Sequence, residues 1–281
     1  MCDCDAVGHV LHALNVGDPV LGVKSLDNLL YVLRGVQSFA QIKVYDMEDS
    51  YHLQRWLSVP RLMAVNDMSA CDMTVCAHNR CAYISDPSNN CIHRVELPYG
   101  DDVTNWPVND KPACFSVTDT HSVLVTCDQV RKIKEFSTHG SLLREIELPQ
   151  DVTSPHHTVQ LSNGQFIVCH GSRDDPVHRV CLIGSDGNVV KSFGGPKGSG
   201  SQQMNVPCHL AVDENGFVFV ADRNNYRVLL LSPELTYVRD VVSRDQLKWL
   251  PLRLFLDVQT RRLYVADSKW IFRGRVIVVS V

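Results

Sequence analysis

Residues 207–228, PCHLAVDENGFVFVADRNNYRV, read as two short strands joined by a turn at Asn215-Gly216, with a second turn over Asp222–Asn225. Asn-Gly ahead of a β-rich run is a hairpin signal, because both residues tolerate positive φ. Fifteen residues separate Pro207 from Asp222, and the same spacing recurs along the chain. It runs from Pro155 to His170 through PHHTVQLSNGQFIVCH, from Pro112 to Cys127, and from Cys71 to Asp86. Pro251 to Asp267 carries one extra residue in the turn, and a divergent copy starts at Pro19. The starts at 19, 71, 112, 155, 207 and 251 give a period of 41 to 52 residues.

Each unit reads as four short strands with almost no helical periodicity. A small sheet of this size cannot bury both faces alone, and repeats of this length predict an all-β, six-bladed β-propeller with four-stranded antiparallel blades. After Asp267 the last unit has residues for a third strand only, GRVIVVSV. The expected fourth is GHVLHAL, residues 8–14, which would close the ring beside the C-terminal strand. The whole of 1–281 is therefore expected to form one domain.

The composition is that of an ordinary globular chain, 44% hydrophobic and 21% charged over 281 residues. No stretch is apolar enough to span a bilayer, and the first residues lack the pattern of a secretory signal. Eleven cysteines, an odd number, together with a core too large to need staples, predict reduced thiols and a cytoplasmic location. The net charge is −4, yet residues 201–281 carry 11 basic and 8 acidic side chains. That leaves room for a local basic face without predicting binding by bulk charge.

PCHLAVDENGFVFVADRNNYRVLLLS resembles the NHL repeat, whose usual form is a proline, a strand ending in Asp, a glycine turn, VAD, and an Asn before a basic residue. Asp222, Asn225, Arg227 and Val228 fit that form; blade 2 keeps Asp86, Asn89 and Ile92 but has Cys91 in place of the arginine; blade 6 keeps YVAD at 264–267. Blades 1, 3 and 4 have Arg34, Cys127 and His170 at the Asp position. The resemblance implies a propeller like those at the C-termini of tripartite-motif proteins, which commonly recruit targets. An Asp at the end of the second strand can accept backbone N–H bonds from the next turn, and Arg227 is placed to pair with Asp222; both read as blade architecture.

Function is expected where the inner strands begin, around the channel mouth. Counting from the repeat starts places His156, His157, Cys208 and His209 there, with Asp72 and Arg253 approaching from blades 2 and 6. The leading expectation is a non-catalytic module without a cofactor. It would present His157, His209, Arg223, Arg253 and Arg131 to a protein partner. Structured RNA is the second expected partner, since some propellers of tripartite-motif proteins bind RNA stem-loops on a basic face, although Asp174 and Asp175 crowd the neighbouring loops. The third reading is a metal-dependent lyase or hydrolase with Asp72, His156 and Cys208 as ligands. It draws on a similarity to peptide-amidating lyases, which carry zinc-binding histidines just after such prolines, as in PH at 155–156.

Overall fold

A computed structural model describes residues 8–36, 39–59, 71–269 and 273–281. Strand β1 (Val10–Asn15) precedes blade 1, formed by β2 (Val20–Leu26), β3 (Leu29–Val36), β4 (Phe39–Asp46) and β5 (His52–Ser58). Blade 2 is β6 (Met73–Cys76), β7 (Cys81–Asp86), β8 (Cys91–Glu96) and β9 (Val103–Pro107). Blade 3 is β10 (Cys114–Val117), β11 (Val123–Cys127), β12 (Lys132–Phe136) and β13 (Leu142–Glu147). Blade 4 comprises β14 (Pro155–Gln160), β15 (Phe166–His170), β16 (Val177–Ile183) and β17 (Val189–Pro196). Blade 5 comprises β18 (Pro207–Val212), β19 (Val218–Asp222), β20 (Arg227–Leu231) and β21 (Tyr237–Val242). Blade 6 has β22 (Leu250–Asp257), β23 (Arg262–Lys269) and β24 (Arg273–Ser280), and β1 pairs antiparallel with β24 as its outer strand. Among the described residues there are thus six four-stranded antiparallel sheets, and the ring closes through the N-terminal strand as the strand count requires. No described helix is long and apolar enough to cross a membrane.

The apolar core lies between blades. Six buried clusters each join two neighbours: Tyr31 and Ile42 of blade 1 meet Met73 and Ile84 of blade 2, and Tyr45 and Leu30 meet Tyr264 and Val278 across the closure. Sequence pattern tracks position within the blade. The second strands VFVAD and CAYISD are buried at every residue because both faces meet a neighbouring blade, while outer strand β1 alternates half-buried and exposed. Each fully buried large side chain contributes roughly 1.5–3 kcal/mol, so stability is spread over six interfaces.

The turn at Asp213–Gly216 differs from the expected hairpin in one respect. Gly216 alone takes positive φ, at +85°, and Asp213 Oδ1 accepts the N–H groups of Asn215 and Phe217. The Asx cap thus shapes the turn, and only its last residue must be glycine.

Register also corrects the level of two repeat copies. A bulge interrupts the start of the inner strand in blades 1, 4, 5 and 6, just after Val20, Pro155, Pro207 and Pro251, which face Arg34, His170, Asp222 and Asp267. Val20, not Pro19, is therefore the counterpart of Pro207. In blade 2 Met73 faces Ile84, which sets Asp72 level with His157 and His209 rather than with His156 and Cys208.

Candidate functional site

One inner-strand residue in each blade lies level with the second-strand residue just before the rim position held by Arg34, Asp86, Cys127, His170, Asp222 or Asp267, so each blade offers one residue at the same height on the axis. Those six are Gly22, Asp72, Cys114, His157, His209 and Arg253. They form a girdle beneath the channel mouth, and its ionisable members are hidden: Asp72 and His209 are 1% exposed and Arg253 4%.

The girdle ties blade to blade. Inner strands of neighbouring blades share no ladder, so the N–H just past the girdle needs another acceptor. Asp72 Oδ2 accepts from Phe115 N at 3.0 Å, His157 Nδ1 from Leu210 N at 3.3 Å, and His209 Nδ1 from Leu254 N at 3.3 Å. Each bond reaches a strand of another blade. His157 Nε2–H donates in turn to Phe115 O at 2.9 Å, and its ring stacks on that of His209 with centroids 3.8 Å apart. Arg253 donates to Leu21 O at 2.9 Å and Cys71 O at 2.6 Å, and its Nε lies 3.1 Å from Asp72 Oδ1. Blade 6 is thereby joined to blades 1 and 2. Gly22 shares this level by register, and a Cβ there would lie 2.6 Å from Met73 Cβ, so no side chain fits.

These bonds fix the protonation states. Burial pushes Asp72 upward, but Arg253, assisted by His209, outweighs it and holds the carboxyl well below the usual range. Burial lowers His209 to about 4 against the pull of Asp72, and takes His157 well below its ordinary value, aided by the neighbouring His209. Both imidazoles are neutral, each accepting a backbone N–H at Nδ1. Burial raises Cys114 far above an ordinary thiol. Lower in the channel, burial depresses half-buried Lys24, partly offset by Asp72.

Of the residues expected at the mouth, His157, His209 and Arg253 are buried in the girdle and cannot touch a partner directly. Arg223 is half-buried and Arg131 exposed, on the hairpins between second and third strands. The expected ligand set is divided as well. His156 and Cys208 occupy bulge positions one level above Asp72, with burial bringing His156 to about 4 and Cys208 to about 11. The Cys208 thiol points at Pro251 O and Leu252 O, 3.5 and 3.6 Å away. Asp72 instead converges with His157 and His209, whose ligand atoms lie within 4.8 Å of one another. A cation there would face the Arg253 guanidinium and break bonds that join blades, so this trio fits a metal poorly.

A second set of polar contacts sits at the rim, where the second strand ends. Asp222 accepts from Asn205 N at 2.7 Å, Asn225 Nδ2 at 2.7 Å and Arg227 Nε at 2.8 Å. Asp267 accepts from Lys248 N, Trp249 N and Arg275. These locks bind the loop entering a blade to its second hairpin. Blade 1 reverses the charges, with Arg34 paired to Asp18 and to Gln41. In blade 4 Arg179 donates to His170 and to Asp151. Sequence counting found the Asp–Arg pair of blade 5 but missed the reversed and substituted versions, whose partners lie in loops of unrelated sequence.

No family model matches the sequence, and no curated protein sequence does. Solved structures share the fold. The β-propeller domain of Cps50 (Swd1) from Myceliophteria thermophila is similar with a TM-score of 0.66 at 10% identity, covering 98% of this chain and 99% of that one. Virginiamycin B lyase from Staphylococcus aureus is similar at 0.61 and 10% identity over 96% and 98% of the two chains. Kuenenia stuttgartiensis hydrazine synthase is similar at 0.63 and 13% identity over 98% and 99%. At such identities the likeness establishes the propeller fold and nothing finer; the blade number is that of the six sheets of this chain.

Proposed function

We propose that this chain is a non-catalytic, NHL-type binding propeller that presents its channel-mouth face to a protein partner. One observation carries the reading: the acidic, basic and imidazole groups of the channel are engaged in holding blades together, which leaves the surrounding loops as the chemically available surface. On blades 5 and 6 that surface is basic. Arg244, Lys248, Lys269 and Arg273 are exposed beside half-buried Arg223, with Asp245 as the exposed carboxylate among them. Arg244 lies over the Tyr226 ring at 4.4 Å, which offers a flat apolar and cationic patch. An acidic protein segment is the partner this surface suits. The Asp222–Asn225–Arg227 and Asp267–Arg275 locks support the NHL reading. Cys81, Cys127, Cys169 and Cys181, packed as small buried hydrophobes, support a reducing, cytoplasmic setting.

Affinity capture with the wild-type chain and an Arg223→Glu/Lys248→Glu variant tests this. Specific protein partners lost on charge reversal are expected; an unchanged partner set would refute the reading. RNA is the second reading, favoured by the same basic sector and opposed by Asp151, Asp174 and Asp175 on blade 4. It requires salt-sensitive retention of RNA that falls on charge reversal. A channel lyase or hydrolase would need Asp72 released from Arg253, and it predicts turnover that His156→Ala abolishes.

A further inference from the structure

Blade 2 lacks the cation that the other Asp locks contain. Asp86, Asp222 and Asp267 are all 0% exposed, and the last two face Arg227 and Arg275. The residue facing Asp86 is Cys91. His93, two positions further along the same strand face, takes the guanidinium's place. Its Nε2 lies 3.1 Å from Asp86 Oδ2 and 3.7 Å from Cys91 Sγ. The three ligand atoms lie within 4.8 Å of one another. His93 is 3% exposed and its Nδ1 has no hydrogen-bond partner, so its polar interactions are made at Nε2.

Two chemistries could explain a Cys, a His and an Asp in contact. A nucleophile relay needs the thiol on one imidazole nitrogen and the carboxylate on the other. Here both meet the same nitrogen, which is convergence on a point. Burial, reinforced by Asp86, also pushes the Cys91 thiol up to about 11, opposite to what a nucleophile requires. A tetrahedral zinc ion, with bonds of about 2.0 Å to oxygen and nitrogen and about 2.3 Å to sulfur, separates its ligands by about 3.3 Å (O to N) and about 3.6 Å (N to S). The observed separations fall within about 0.2 Å of both.

We propose that Asp86, Cys91 and His93 form a zinc site at the mouth-side hairpin of blade 2. The dication balances the carboxylate and a thiolate, doing for this blade what arginine does in blades 5 and 6. Asn89 Nδ2 donates to Asp86 Oδ2 at 2.8 Å, while Ser88 N and Asn89 N hold Oδ1, so the carboxylate is oriented from behind. Cys91 is half-buried, which gives the ion a path from solvent and leaves the fourth position for water or a partner's side chain. Binding releases the thiol proton, while the His93 imidazole stays neutral with its proton moved from Nε2 to Nδ1, so affinity rises with pH.

The test uses metal-stripped, reduced protein titrated with zinc against a chromophoric chelator, and with cobalt followed by visible absorption. One equivalent of zinc is expected, with a tetrahedral cobalt–thiolate spectrum. Cys91→Ser and His93→Gln should abolish tight binding, and Asn89→Ala should weaken it about 10–100-fold. Cys91→Arg, which restores the guanidinium of blades 5 and 6, should fold with an unchanged circular dichroism spectrum and bind none. His209→Asn, in the channel, should leave the cobalt spectrum intact. Wild-type protein that takes up no zinc at micromolar concentration would overturn the proposal. So would stoichiometric binding that survives Cys91→Ser and His93→Gln, or that is lost only with His209.

Discussion

The axis and the rim of this propeller are both polar, yet they are built on opposite plans. At the rim one device recurs in blades 1, 4, 5 and 6, a buried or half-buried charge or imidazole at the end of the second strand tied to the loop before the blade. At the axis no blade gives the same answer as its two neighbours except blades 4 and 5. Gly22, Asp72, Cys114, His157, His209 and Arg253 share a level while differing in size, charge and bonding. The rim lock secures each blade to itself, so it can be copied. The girdle secures blades to one another, so copying it would set like charges face to face. Repetition builds the blade; divergence at the axis gives each interface its own identity.

The sharpest way to break this contrast is at Arg253. Arg253→Met leaves Asp72 buried without its cation and should cost about 3–5 kcal/mol in urea unfolding. Asp72→Asn combined with Arg253→Met should recover much of that loss, and additive losses instead would show that the pair is not a unit. The next effect is read by pH. His209 sits near 4 when folded, against about 6.5 in an unfolded chain. The unfolded state therefore binds more protons between those values, and stability falls as pH drops from about 6.5 toward 4, by on the order of 3 kcal/mol from this residue. Asp72 stays charged throughout, since its folded value lies lower still. His209→Asn keeps an acceptor for Leu254 N–H and should make that acid limb shallower, leaving the part due to the buried His156, His157 and His170.

At the rim, Asp222→Ala removes the acceptor of Asn205 N and the partner of Arg227, and about 2 kcal/mol is expected. A loss as large as that at Arg253 would erase the distinction between axis and rim. The smallest effect belongs to the loops: Lys248→Glu and Arg131→Glu should change stability by no more than about 0.5 kcal/mol, with partner capture as their readout.

The two plans also differ in how far they can be read from sequence. Asp213 to Gly216 and Asp222 to Arg227 are local patterns, so blade 5 announces itself and sets the register for weaker copies. The shortfall after Asp267 is equally visible and calls for the strand at Val10–Asn15. The girdle is hidden for two reasons. Its bonds join residues far apart in the chain, with Arg253 reaching Leu21 and Cys71 across 232 and 182 positions. The bulge adds one residue in some blades and not in blade 2, so counting from Cys71 put Asp72 a level too high. His93 was passed over because its role depends on which face of β8 it shares with Cys91.

The pairing of β1 with β24 has a consequence for how the chain is made. Residues 10–15 meet residues 275–279, nearly the full length of the sequence away. During synthesis from the N-terminus β1 has no edge to join until β24 has emerged, and blades 1 to 5 must wait as an open arc with two uncovered apolar flanks. Closing so long a loop is slow, because its entropy cost falls due before the final contacts reward it. The vulnerable species in the cell is thus the nearly finished ring, and destabilising the seam between blades 1 and 6, where the Tyr51 and Tyr264 hydroxyls lie 3.1 Å apart, should appear first as aggregation of newly made chains.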